Sequence, residues 1–220
     1  MSEKLRLRFV KEGRAVYISH LDLMRTMQRA FQRAGYALQY SEGFNPHPIL
    51  SILLPLSVGA SSACELMDFQ LPAPVDLKEM PERLSAAMPD GIRVLEAYPE
   101  GRKVRELKWL RVSGTFTYDS ADVCEMRDGL QAFYAREVIV IRKKTKRGEG
   151  ESDIAPAIRS IGFSAGERQV LLEAVISAQV PTLNPDLLVS ALSQLAPALL
   201  PDFAEFRRLE VYDASMKVFR

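Results

Sequence analysis

Cysteine and histidine are scarce, with two of each in 220 residues. Cys64 and Cys124 lie far apart, with no CxxC and no nearby histidine, so the chain has neither metal-ligand spacing nor a disulfide framework. Both thiols read as small core residues of a chain kept in a reducing compartment. Long apolar runs are also missing. The N-terminus, MSEKLRLRF, has no apolar core of a signal segment, and stretches such as Ile49–Val58 fall short of the roughly 20 residues a membrane span needs. A cytoplasmic protein without a membrane anchor is therefore expected. The net charge is only +1, which excludes a polycation, so any nucleic-acid site must come from local patterning. There is no GxGxxG, P-loop, GxSxG, HExxH or CxxxCxxC, so dinucleotide, hydrolase, zinc-protease and iron–sulfur signatures are all missing. No metal or cofactor is expected in this chain. Glu65 and Asp68 are the only closely spaced acids near a plausible site, and an i, i+3 carboxylate pair is commonplace.

What is present suits an ordinary globular protein: 47% hydrophobic and 26% charged residues, in a length that makes one large domain or two of about 100 residues. Leu5, Leu7 and Phe9 alternate with Lys4, Arg6 and Arg8, which predicts a half-buried strand continuing through Ala15–Ile18 after a turn at Glu12-Gly13. Ser19 and Asp22 form a capping box for a helix over Ser19–Ala34, which Gly35 closes. Strands are expected at Ala37–Tyr40, Ile49–Leu54, Glu65–Leu71 and Ile92–Tyr98, with a helix at Leu77–Met88. The same order recurs after a charged linker at Glu100–Val104. It comprises a strand at Leu107–Thr117, a helix at Ser120–Tyr134 capped by Ser120, and strands at Glu137–Lys143, Ala157–Ile161 and Arg168–Ala178. A helix at Asn184–Leu195, with Asn184 as N-cap and Pro185 at N1, and a strand at Phe206–Tyr212 complete it. This predicts an α+β protein of two tandem ferredoxin-like (βαββαβ) halves with antiparallel sheets, residues 1–100 and 101–220.

Charge is uneven along the chain: +4 over residues 1–60, −5 over 61–100, +5 over 101–150 and −3 over 151–220. Three features stand out in the positive portions. Arg25, Arg29 and Arg33, four residues apart, stack on one helix face; such a row suits a bridging anion or, equally, a solvated face. Arg142, Lys143, Lys144, Lys146 and Arg147 crowd into six residues where a strand meets a loop, either a basic finger for a phosphodiester backbone or a solvated hairpin tip. In the loop Tyr40–Pro48, Gly43 permits an unusual backbone angle, and Pro46 and Pro48 stiffen Asn45 and His47. Tyr40, Phe44 and His47 there offer rings that can stack on a base. His20 and His47 are weak acid/base candidates, with packing or capping as the plain alternative for His20.

The segments Tyr17-Ile18-Ser19-His20-Leu21-Asp22-Leu23 and Tyr40-Ser41-Glu42-Gly43-Phe44-Asn45-Pro46-His47-Pro48, with Pro55–Gly59, Ser62, Glu65, Asp153-Ile154 and Asn184-Pro185, resemble the radical-SAM-linked family, a domain of unknown function. The resemblance implies a companion of a separate radical-SAM enzyme, which would carry the iron–sulfur cluster and S-adenosylmethionine, and an association in some members with a ribonuclease of the E/G type. The tandem ferredoxin-like reading is also similar to CRISPR-RNA-processing endonucleases and pseudouridine synthases, an analogy of fold that does not fix function. The resulting expectation is an RNA-binding module, for tRNA or rRNA, serving a radical-SAM modification enzyme. Arg25, Arg29, Arg33, Tyr40, Phe44, Asn45, His47, Arg142, Lys143, Lys144, Lys146 and Arg147 would contact the RNA. The rival expectations are a metal-independent endoribonuclease using His20 or His47, and a protein–protein adaptor.

Overall fold

The computed structural model describes residues 4–145 and 148–220, apart from the side chains of Lys144, Thr145 and Glu149. These residues form a mixed α+β protein with four α-helices and mostly antiparallel strands, divided into two compact units. The first unit runs to Glu106 and includes Phe219–Arg220; the second is Leu107–Val218. None of the helices is long and apolar enough to cross a membrane, among the described residues.

In the first unit the order is β1 (Lys4–Lys11), α1 (His20–Arg33), β2 (Leu50–Leu53), β3 (Ser61–Gln70), α2 (Met80–Ala86) and β4 (Ile92–Pro99). The strands lie in the order β4-β1-β3-β2, every neighbour antiparallel. β1 is not the half-buried strand that its alternation predicts: Arg6 and Lys11 are as buried as Leu7 and Phe9. The Ala15–Ile18 continuation is not a strand either, because Gly13–Tyr17 coils into a single 3-10 turn. Lys11 explains both departures. Its ammonium reaches in to donate to the carbonyls of Val16 (3.1 Å) and Ile18 (3.3 Å), which holds the turn that delivers Ser19 to the start of α1. Burial holds the Lys11 ammonium below the usual lysine range, and the charge of Glu65 opposes that shift.

Arg6 is fully buried. Its guanidinium forks onto Asp68, its cross-strand partner, with Nε–Oδ1 at 2.6 Å and Nη2–Oδ2 at 3.0 Å, and Nη2 also donates to the carbonyl of Arg102. The guanidiniums of Arg6 and Arg102 both lie over the ring of Phe219, itself fully buried, 5.0 and 5.1 Å from its centre. Asp68 is thus the counterion of a buried cation, which accounts for one of the two acids singled out by sequence. Below the sheet, Leu23, Met27 and Phe31 of α1 and Met80 and Leu84 of α2 pack on Leu5, Leu7, Met67 and Phe69.

In the second unit the order is β5 (Leu107–Thr117), α3 (Val123–Tyr134), β6 (Val140–Thr145), β7 (Gly148–Asp153), β8 (Ile158–Ala165), β9 (Gln169–Ser177), α4 (Asp186–Leu195) and β10 (Phe203–Asp213). β10-β5-β9-β8 is again antiparallel throughout, while β6 and β7 pair only with each other among the described residues. The strand expected at Glu137–Lys143 therefore belongs to a separate hairpin, and β8 takes its place in the sheet. The side-chain amide of Gln194 on α4 secures that hairpin by bonding both the N–H and the carbonyl of Arg142, as a neighbouring strand would.

Other boundaries moved for local reasons. Asp122, not Ser120, caps α3, accepting from the amides of Cys124 and Glu125. Pro185 takes the N-cap position of α4, while the Asn184 side chain still accepts from the Asp186 amide. Ala37–Tyr40 is not a strand: Tyr40 bridges to Pro48, and the Gln39 backbone bonds Gln70 and Ile49 without forming a ladder among the described residues. Cys64 is buried as expected, but Cys124 is exposed, because the first turn of α3 turns it away from the face that buries Leu130, Phe133 and Tyr134.

Two tests follow from these buried charges. Asp68→Ala strands the Arg6 cation and should cost about 3 kcal/mol in urea unfolding; a loss within about 0.5 kcal/mol would show that the pair is not holding the unit. Because the folded Lys11 binds its proton less tightly than the unfolded one, the unfolded chain carries more protons between the two pKa values. Stability therefore gains a contribution as pH rises toward the usual lysine range. Lys11→Met should flatten that rise relative to the parent protein in pH-dependent unfolding curves.

Candidate polyanion groove beside the first helix

α1 buries Leu23, Met27, Ala30 and Phe31 and turns its polar side outward. Ser19 caps it as expected: its hydroxyl oxygen accepts from the Asp22 amide, and the hydroxyl donates to the Asp22 carboxylate at 2.8 Å. That bond first, and Arg25 second, hold the Asp22 carboxyl below the usual carboxylate range. His20 opens the helix and is exposed, with no hydrogen-bond or ionic partner among the described residues.

The three arginines of α1 have three different situations. Arg25 is paired with Asp22 at 3.1 Å. Arg33 donates to the carbonyl of Ala87, the C-cap residue just past α2. In return Arg83, in the last turn of α2, donates to the carbonyl of Ala34 at the end of α1 (2.7 Å), with its guanidinium stacked 4.8 Å from the centre of the Tyr36 ring. Each helix thus lends the other an arginine where its own carbonyls and the negative end of its dipole are exposed. Gly35, at φ +81°, makes room: a Cβ there would lie 3.2 Å from the Arg83 guanidinium. Only Arg29 is uncommitted, with no hydrogen-bond or ionic partner among the described residues. The row departs from one face because each four-residue step along an α-helix advances about 40° around the axis, which carries Arg33 over to α2.

Arg29 is the shared wall of two open grooves. One, of about 660 Å³, is lined by Thr26, Arg29, Arg33, Arg83 and the end of α2 at Ala86–Pro89, with three arginines and no acid. The other, of about 540 Å³, is lined by Gln28, Arg29, Gln32, Tyr36, Tyr40 and Pro48, again with no acid. Arg83, Gln28, Gln32 and Tyr36 escaped the sequence reading. The available signal was Gln28 and Gln32 at i, i+4 beside Arg29, and an arginine in the last turn of a short helix.

The loop Tyr40–Pro48 closes on itself. The Ser41 amide donates to the His47 carbonyl (2.9 Å), and the His47 amide donates to the Ser41 hydroxyl (3.1 Å). His47 Nδ1 lies 2.9 Å from that hydroxyl and 3.3 Å from the Asn45 carbonyl, so one edge of the ring is held. Gly43, at φ +116°, turns the tip, where Phe44 is fully exposed and Asn45 is exposed beside it. Of the sequence candidates, the structure places Arg29 beside Arg33 in one groove and beside Tyr40 in the other. Arg142 and Lys143 lie on the β6–β7 hairpin of the other unit, with Arg142 exposed and 3.9 Å from Glu151. Lys146, Arg147 and the Lys144 side chain lie outside the described residues.

Comparison with known proteins adds a family and a likeness of fold. A family model described as "Uncharacterized protein conserved in bacteria (DUF2344)" matches residues 4–185. No curated protein matches. A chain of the crystal structure of a Cbf5–Nop10–Gar1 complex is similar at 12% identity and a TM-score of 0.50, covering 94% of this chain and 48% of that one. This chain thus spans about half the length of that chain, and at such identity the likeness shows fold alone. A crystal structure of an unknown protein from Galdieria sulphuraria is 10% identical, with 94% of this chain and 99% of that chain covered, at a TM-score of 0.28.

The division of labour among the arginines has a direct consequence. Arg83→Ala should lower unfolding stability by about 1–3 kcal/mol, the cost of removing a charged donor from a helix-end carbonyl. Arg29→Ala should change it by less than about 0.5 kcal/mol. Equal costs in thermal or urea unfolding would contradict the assignment.

Proposed function

The chain belongs to the bacterial family DUF2344, and from that premise we propose that it is an RNA-holding module, for tRNA or rRNA, that serves a separate radical-SAM modification enzyme. One observation carries the RNA side of the reading: Arg29, Arg33 and Arg83 converge on an acid-free open groove, and Arg29 has no protein partner among the described residues. A guanidinium has five donors in a planar fork, and the helix-end bonds of Arg33 and Arg83 each engage one nitrogen, so both retain donors for phosphate. Arginines that neutralise phosphates supply sequence-independent nucleic-acid affinity, so a local cationic groove can serve a protein of near-zero net charge. The radical-SAM side rests on the ISHLDL and YSEGFNPHP motifs. In this reading each unit is a ferredoxin-like half. The strand orders β4-β1-β3-β2 and β10-β5-β9-β8 support that assignment, with the β6–β7 hairpin as an insertion in the second.

Fluorescence anisotropy with labelled tRNA and rRNA fragments tests the RNA reading. Affinity should fall steeply with salt, and Arg29→Gln should weaken binding to all sequences alike and reduce the log–log salt slope by about 1. Absence of RNA binding, together with recovery of a radical-SAM protein on the tagged chain, would instead establish an adaptor. RNA cleavage lost in His20→Ala or His47→Ala would establish the nuclease.

A further inference from the structure

The groove on the other side of Arg29 differs in chemistry from the arginine groove. Its volume of about 540 Å³ falls within the range of about 300–1,000 Å³ common for small-molecule sites. Its walls carry three kinds of group. Tyr40, about half exposed, offers an aromatic face at the base of the Tyr40–Pro48 loop, with Pro48 beside it. The amides of Gln28 and Gln32, one turn apart on α1, have no hydrogen-bond partner among the described residues, and each presents a donor and an acceptor side by side. Arg29 supplies the cation at the rim that the two grooves share.

We infer that this groove binds an unpaired nucleotide, its base stacked against Tyr40 and read by Gln28 and Gln32, its phosphate held by Arg29. The inference rests on the RNA reading above and narrows it to single-stranded or looped RNA. An A-form duplex keeps its bases stacked and its deep groove closed to side chains, so a pocket of this kind is filled by a base splayed out of a loop, bulge or end. An aromatic face with sequence-tolerant stacking, a free amide and an arginine are the groups that such a base and its phosphate require. Tyr40 is held for this purpose: the antiparallel bridge to Pro48, the Ser41–His47 bonds and the Gln39 hydrogen bonds to Ile49 and Gln70 fix the backbone on both sides of it. A ring on a fixed backbone loses less freedom on stacking than one on a mobile loop.

The probe is an RNA hairpin with 2-aminopurine at one loop position, compared with the same sequence closed into a perfect duplex. The parent protein should quench the loop fluorophore and bind the hairpin more tightly than the duplex. Tyr40→Ala should abolish the quenching and weaken hairpin binding about 5- to 50-fold while leaving duplex affinity unchanged. Tyr40→Phe should retain the quenching, and Gln28→Ala/Gln32→Ala should lower hairpin affinity without removing it. Thermal unfolding guards against a misfolded variant. If the parent binds hairpin and duplex equally, or if Tyr40→Ala leaves the hairpin preference intact, the nucleotide pocket is overturned while RNA binding stands. If the parent binds neither RNA, the RNA reading itself fails and takes the pocket with it.

Discussion

The exchange of arginines between α1 and α2 is the constraint from which the proposed binding surface follows. Two helices of the first unit end side by side, and their last carbonyls need donors. Arg83 supplies Ala34 and Arg33 supplies Ala87, so the helix ends are closed by side chains from the neighbouring helix. The exchange concentrates positive charge at one end of the unit without spending all of it. Arg29, one turn back from Arg33, is left facing two grooves with no acid on either wall. The acid-free arginine groove that we propose holds a polyanion is thus a by-product of how the helices are terminated, and the Tyr36 ring lies against Arg83.

A second buried arginine shows the opposite use of the same side chain. Arg6 is surrounded: Asp68 takes its fork, the Arg102 carbonyl takes another donor, and Phe219 covers its face. Nothing of it is available to a ligand, and its role is to hold β1, β3 and the chain's last residues together. Burial and pairing, not the count of basic residues, separate structural cations from available ones.

Much of this was legible in the chain. The helix over α1 could be read to within a residue because Ser19, Asp22 and Gly35 are strong local signals, and β5 was read with its observed bounds, Leu107–Thr117. The larger departures come from partners that local pattern does not reveal, some of them distant in sequence. β1 looked half-buried because its arginine and lysine looked like solvent contacts, whereas Asp68 and the carbonyls of Val16 and Ile18 received them. The strand at Glu137–Lys143 reads as a sheet strand because it is Gln194, far along the chain, that shows where the β6–β7 hairpin docks. At the site, Arg25, Arg29 and Arg33 read as one row of which only Arg25 has an acid within reach along the helix. Asp22 was visible as a partner for Arg25, but the α2 carbonyl that engages Arg33 was not, and neither were Arg83 and the two glutamines.

The most direct test of the account is ultraviolet crosslinking of the protein to bound RNA, with the attached peptides identified by mass spectrometry. The account predicts crosslinks within residues 26–48, centred on Tyr40, and their loss in Arg29→Gln. Crosslinks confined to the second unit, or none in this segment at saturating RNA, would contradict it.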